Sequence, residues 1–84
     1  MPETKERTKL FRLPKVLDEM GLSRASLYQR IQDGLFPEPV RPSRRMSVWP
    51  SYEVQAVIDA MVAGKTETSL RKIVKGLEAE RAAS

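Results

Sequence analysis

Leu22-Ser23-Arg24-Ala25-Ser26-Leu27-Tyr28-Gln29-Arg30-Ile31 has the grammar of a short capped helix. Ser23 is a strong N-cap, able to satisfy a free amide of the first turn, Arg24-Ala25-Ser26. Leu22 before the cap and Leu27 after it stand at the spacing of a hydrophobic staple. Leu27 and Ile31, four residues apart, share a buried face. Gly34 ends the helix. Upstream, another helix opens at Leu13 or Pro14, because proline suits the first turn, where its missing N–H has no partner anyway. Val16, Leu17 and Met20 give it an apolar face, and Gly21 supplies a left-handed stop. Only Gly21, Leu22 and Ser23 separate the two. Two short helices joined by so short a glycine-containing turn read as a helix-turn-helix. Arg24, Ala25, Ser26, Tyr28 and Gln29, with Gln32 beside them, face outward.

Downstream the pattern changes. Pro37, Pro39, Pro42 and Pro50 forbid a continuous helix from Leu35 to Pro50. Val40-Arg41 and Ser47 to Trp49 read as two short strands joined by Pro42-Ser43-Arg44-Arg45, a small β-hairpin or wing. Trp49, the sole tryptophan, is expected to anchor that wing to the core. Helicity resumes at Ser51, read as another cap. Val54, Val57, Ile58, Met61 and Val62 form a core-facing stripe, and Met20 and Met61 read as core. After Gly64, Leu70, Ile73, Val74 and Leu77 repeat the helical period in a fourth helix. The fold expected is mainly α: a winged helix-turn-helix with a small β-hairpin wing and an added C-terminal helix. Its parts are a flexible tail over 1–9, a winged helix-turn-helix domain over 10–64 and an amphipathic helix over 65–84. That last stripe either caps the core or dimerises the chain through Leu70, Ile73, Val74 and Leu77. The small size of the remaining core favours dimerisation slightly.

The composition excludes much chemistry. The 84 residues hold no Cys and no His. Disulfides, thiolate catalysis and the usual zinc and copper ligands go with them. The glycines are scattered rather than gathered in a phosphate loop, and Asp18 and Glu19, adjacent on a helix, point apart. No enzyme activity, cofactor or metal is expected. No stretch approaches the length of a membrane span, and the polar start does not lead into a secretory apolar run. A cytoplasmic, nucleoid-associated protein is expected.

The charge is one-sided. Residues 1–50 hold ten bases and six acids, residues 51–84 five of each, so the net +4 lies in the first part. A solvated basic surface is the plainer alternative, and arginines on a hairpin also discourage strand pairing. A nucleic-acid surface explains the asymmetry more directly. In that reading Arg24 suits guanine and Gln29 adenine in a major groove, while Ser26 and Tyr28 suit phosphate. Arg41, Arg44 and Arg45 suit backbone or minor groove. Tyr52 stands between core edge and DNA backbone.

Several motifs in order carry a family resemblance: Leu13-Pro14-Lys15-Val16, Gly21-Leu22-Ser23-Arg24, Leu27-Tyr28, Gly34, Phe36-Pro37-Glu38-Pro39-Val40, Arg45, Trp49 and Glu53-Val54. From about Phe11 to Ile58 the chain resembles the AlpA family of small prophage-associated transcriptional regulators, related to excisionases and to the winged-helix part of MerR-like proteins. The resemblance implies a recognition helix over 24–33 in the major groove, with Ser23, Arg24, Ser26, Leu27 and Tyr28 upon it, and a wing over 41–48 bearing Arg44 and Arg45. The full candidate DNA-binding set is Ser23, Arg24, Ser26, Tyr28, Gln29, Arg30, Arg41, Arg44 and Arg45. The chain departs from the family at Gln55-Ala56-Val57-Ile58, where a second Trp is common, and in its added helix. Sequence-specific binding of double-stranded DNA to control transcription is the expected function. One alternative is a recombination directionality factor, an excisionase that bends an attachment site for an integrase partner. A second is a protein-interaction adaptor without DNA.

Overall fold

A computed structural model describes residues 8–83 of the chain. The elements run β1 (Leu10–Arg12), α1 (Leu13–Met20), α2 (Arg24–Gln32), β2 (Val40–Ser43), β3 (Met46–Pro50), α3 (Ser51–Val62) and α4 (Glu67–Ala83). This is a winged helix-turn-helix with an added C-terminal helix.

The helix-turn-helix follows its local signals. Gly21 takes φ 66°, open to glycine without penalty, and Gly21 and Leu22 return their amides to the carbonyls of Asp18 and Leu17. Ser23 caps α2, its hydroxyl accepting the Ser26 amide at 3.2 Å. Gly34, at φ 76°, closes α2 in the same way, with the Leu35 amide donating to the Arg30 carbonyl at 2.8 Å. Leu22 packs on the core beside fully buried Leu27, as a staple requires.

The wing is larger than two strands. β3 lies in the middle of a three-stranded antiparallel sheet, order β1-β3-β2. Phe11 pairs with Trp49 and Arg12 with Val48 on one side, and Val40 pairs with Val48 on the other. The register slips between Val40 and Ser43, where Pro42 has no N–H to give to a ladder. Pro42 and Ser43 therefore belong to the edge strand, and the turn narrows to Arg44-Arg45. Among the described residues no non-glycine has positive φ, so these arginines do not form the mirror-image turn most two-residue hairpins use.

Trp49 is fully buried, as expected of an anchor. Its indole N–H donates to the Pro37 carbonyl at 2.8 Å, and its ring lies 6.1 Å from that of Phe36. Val16, Leu27, Phe36, Trp49, Val54, Val57 and Val74 form the main core. Leu35, Ala60 and Leu70, with Ile73 against them, make a second cluster.

The described residues refine four expectations. Leu70 and Val74 are buried in the protomer's own core, and Ile73 and Leu77 pack against it. The stripe Leu70, Ile73, Val74, Leu77 packs on the domain's own core, the capping role of the two alternatives. Ser51 is not a cap. It is the buried first residue of α3, and its hydroxyl accepts the Lys9 amide at 2.8 Å while its own amide donates to the Lys9 carbonyl at 2.7 Å. Those bonds tie Lys9 to the fold, so the polar stretch read as a tail ends before it; Met1 to Arg7 lie outside the described residues. The α3 stripe stops early: Val62 is 84% exposed and Met61 37%, while Ala60 turns inward.

α4 is held by polar bonds as well as packing. Buried Glu53 receives the Arg81 guanidinium, Nε donating to Oε2 at 2.7 Å and Nη2 to Oε1. Arg81 also donates to the Glu38 carbonyl at 2.7 Å, and Glu78 accepts the Glu38 amide at 2.9 Å. Arg71 donates to the Asp33 carbonyl at 2.8 Å. α4 thus braces the segment that leads from α2 to the wing.

Candidate nucleic-acid interface

α2 presents three strips. Arg24 and Tyr28, one turn apart, share one flank; Ala25, Gln29 and Gln32 are outermost; Ser26 and Arg30 share the other flank. All of these are exposed except Arg30, which is half-buried. Ser23 spends its hydroxyl locally. Beyond capping, it donates to Ser26 Oγ at 3.0 Å, which leaves the Ser26 hydroxyl hydrogen free to point outward. The Gln29 side-chain amide donates to Asp33 Oδ1 at 3.2 Å across one exposed turn. Such an exposed bond is worth little and yields readily to a better partner.

The sheet brings the wing to α2. Arg24 and Tyr28 line one open cleft together with Arg45, Met46 and Ser47 of the wing and Arg12, Leu13 and Pro14 of the β1–α1 corner. No acid lines that cleft. Arg41 and Arg44 are exposed on the wing outside it, and Arg30 and Gln29 stand on other strips of α2. Of the candidate residues, then, Arg24, Tyr28 and Arg45 converge, and the rest surround them. Arg12 lines the cleft too, and sequence reading did not single it out. It was visible as a base, but its place depends on β1, for which the sequence carries no local signal.

Electrostatics separates these arginines from the others. Among the described residues Arg12, Arg24, Arg30, Arg41, Arg44 and Arg45 have no carboxylate partner, whereas Arg71 pairs with Glu67, Arg81 with Glu53 and Lys15 with Glu19. Neither α1 nor α2 has an acid in its first turn. Arg12 and Arg24 therefore stand at helix starts, the positive ends of two helix dipoles. Elsewhere acids do sit at helix starts, Glu53 in α3 and Glu67 in α4. Tyr52 is half-buried. Among the described residues no group of three acids is placed to hold a metal, and no helix is long and apolar enough to cross a membrane.

Residues 9–61 match the family described as Prophage CP4-57 regulatory protein (AlpA). The chain belongs to the AlpA family of prophage regulatory proteins. A relative in Enterobacteria phage P4, the uncharacterized protein ORF88, is 36% identical over 62 residues, which is 74% of this chain and 68% of that one. No solved structure matches. AlpA membership makes the chain a regulatory, DNA-binding protein of prophage type. The matched stretch takes in β1 through most of α3 and stops before α4.

Proposed function

We propose that this AlpA-type protein is a sequence-specific regulator of transcription that binds duplex DNA with residues 24–33 in the major groove and the wing, 41–48, on the adjacent backbone or minor groove. The observation that carries this reading is the acid-free cleft in which Arg24 and Tyr28 of α2 meet Arg45 of the wing. In this reading Arg24 reads guanine and Gln29, on the outermost strip, adenine. Ser26 and Tyr28 hold phosphate beside the capped start of α2, where Ser23 sets the helix end, and Arg30 adds charge on the far flank. Arg41, Arg44 and Arg45 hold the backbone. The unit that does this is residues 10–64, at work on the nucleoid in the cytoplasm.

The test is fluorescence anisotropy on a preferred duplex, found by mapping bound DNA across the genome, and on a random duplex. Arg24→Ala and Gln29→Ala should relax the preference, each by roughly 1–3 kcal/mol at the preferred site. Arg44→Ala and Arg45→Ala should weaken both duplexes alike. Wing variants that lose preference while helix variants keep it refute the assignment. Promoter output that changes with the integrase deleted supports a regulator; excision that rises only with integrase, promoters unchanged, points instead to a directionality factor.

A further inference from the structure

The cleft itself is a binding site of defined chemistry. Its walls come from three places in the chain: Arg12 at the end of β1, Arg24 and Tyr28 on α2, and Arg45 with Ser47 on the wing. Three arginines line one concavity with no acid among its walls, and none of the three has a carboxylate partner among the described residues. Like charges gathered in this way repel, and a fold that leaves them uncompensated is suited to an anion supplied from outside. Two hydroxyls, Tyr28 and Ser47, complete a donor set of charged and neutral hydrogen-bonding groups without an acceptor carboxylate. Tetrahedral oxyanions suit that set, because guanidinium matches phosphate oxygens with paired N–H donors.

We infer that this cleft seats one backbone phosphate of bound DNA, and that Arg12 is the phosphate-binding residue that completes it. The inference rests on the duplex-binding reading above and refines it. With α2 on one side and the wing turn on the other, a phosphate in the cleft lies at the junction of the two contacts. It fixes the register of the helix against the wing. Arg12 is suited to the task because its backbone is committed to β3, opposite Val48, while its side chain is exposed. Arg24 supplies the helix-side wall and its charge.

The test combines a chemical scan of the DNA with variants of the protein. Neutral methylphosphonates replace the phosphates of the preferred duplex one at a time. One position should weaken the wild type by about tenfold, as expected for loss of a charge-assisted contact, and should barely affect Arg12→Ala. The same variant should weaken preferred and random duplexes alike, and its slope of log K against log salt should be shallower by about 0.9, one phosphate's share. Arg12→Gln, which keeps a polar hydrogen-bonding end but removes the charge, is compared with Arg12→Ala, and urea melting of both checks that the strand still forms.

A folded Arg12→Ala that keeps wild-type affinity, slope and methylphosphonate profile overturns the seat while leaving duplex binding intact. A wild type without salt-sensitive duplex binding overturns both. Inorganic phosphate at constant ionic strength is the remaining arm. Saturable binding lost in Arg12→Ala, with no sensitive position in the duplex, assigns the cleft to free phosphate and overturns the DNA seat.

Discussion

Removing the Arg81 side chain should unfold much of what the fourth helix holds. Arg81→Ala leaves the Glu53 carboxylate, fully buried, facing an empty space where a guanidinium had made two bonds. A buried charge stripped of its partner costs about 3–5 kcal/mol. Arg81 itself is 21% exposed, so water reaches the vacated site and the lower end applies, about 3 kcal/mol. The lost bond to the Glu38 carbonyl falls within that figure. A domain of this length has roughly 4–12 kcal/mol to lose, and the midpoint of thermal unfolding should drop by about 12–24 °C. Urea unfolding followed by far-UV circular dichroism reads this as a lower midpoint at unchanged slope, about 2 M lower for a slope near 1.5 kcal/mol/M. The double variant Glu53→Met/Arg81→Met removes both charges and should recover most of the loss, since a buried pair replaced by apolar side chains is often near neutral. Arg81→Ala within 0.5 kcal/mol of wild type would refute the view that this pair holds α4 in place.

The same pair makes a pH prediction. The hydrogen bonds that the Arg81 guanidinium donates to Glu53 hold it above its ordinary pKa, against the opposing pull of burial. A raised value in the folded state means the contribution is present throughout the range below the ordinary arginine pKa and is lost only as pH climbs through the raised one. Stability should therefore show no loss from this pair between pH 7 and 10, read by urea midpoints compared with Arg81→Met. Trp49→Phe removes the donor to the buried Pro37 carbonyl and part of a filled core, and should cost about 2–3 kcal/mol by urea melting. Leu70→Glu places a charge where the side chain is 6% exposed. It should destabilise the fold by roughly 3 kcal/mol or more, whereas a variant that keeps wild-type stability and changes only its sedimentation would contradict the capping role of α4.

Signals that act over one or two helical turns were legible without coordinates. The Ser23 cap, the Leu22–Leu27 staple and the Gly21 stop each need only neighbours within a few residues, so the helix-turn-helix could be placed nearly to the residue. Trp49 was legible for a different reason: an aromatic of that size on a short strand must be buried somewhere. What failed was pairing across distance. Leu10-Phe11-Arg12 is too short to show an alternation, and its partners Val48, Trp49 and Pro50 lie on the far side of the helix-turn-helix. Ser51 looked like a cap because a serine preceded an apolar period, yet its hydroxyl answers the Lys9 amide that the β1–β3 pairing delivers. Glu53 and Arg81 gave no sign of each other, since an acid in one helix and a base in another are ordinary surface residues until packing buries one of them.

The site divides along the same line. The excess of positive charge and the outward face of α2 are properties of composition and helical period, and they suffice to suggest a nucleic-acid partner. Which arginines act together is a property of the sheet. Arg45 lies in the two-residue turn between β2 and β3, Arg12 ends the strand on the other side of β3, and Arg24 opens α2. Their meeting in one cleft follows from β3 running between the two edge strands with α1 leaving directly from Arg12. α4, beyond the family-matched stretch, then bears on this geometry through Asp33 and Glu38, the segment joining α2 to the wing. A loosened α4 frees that segment, and with it the spacing between recognition helix and wing. In the proposed DNA-bound arrangement, fold stability and register on DNA are therefore coupled through α4.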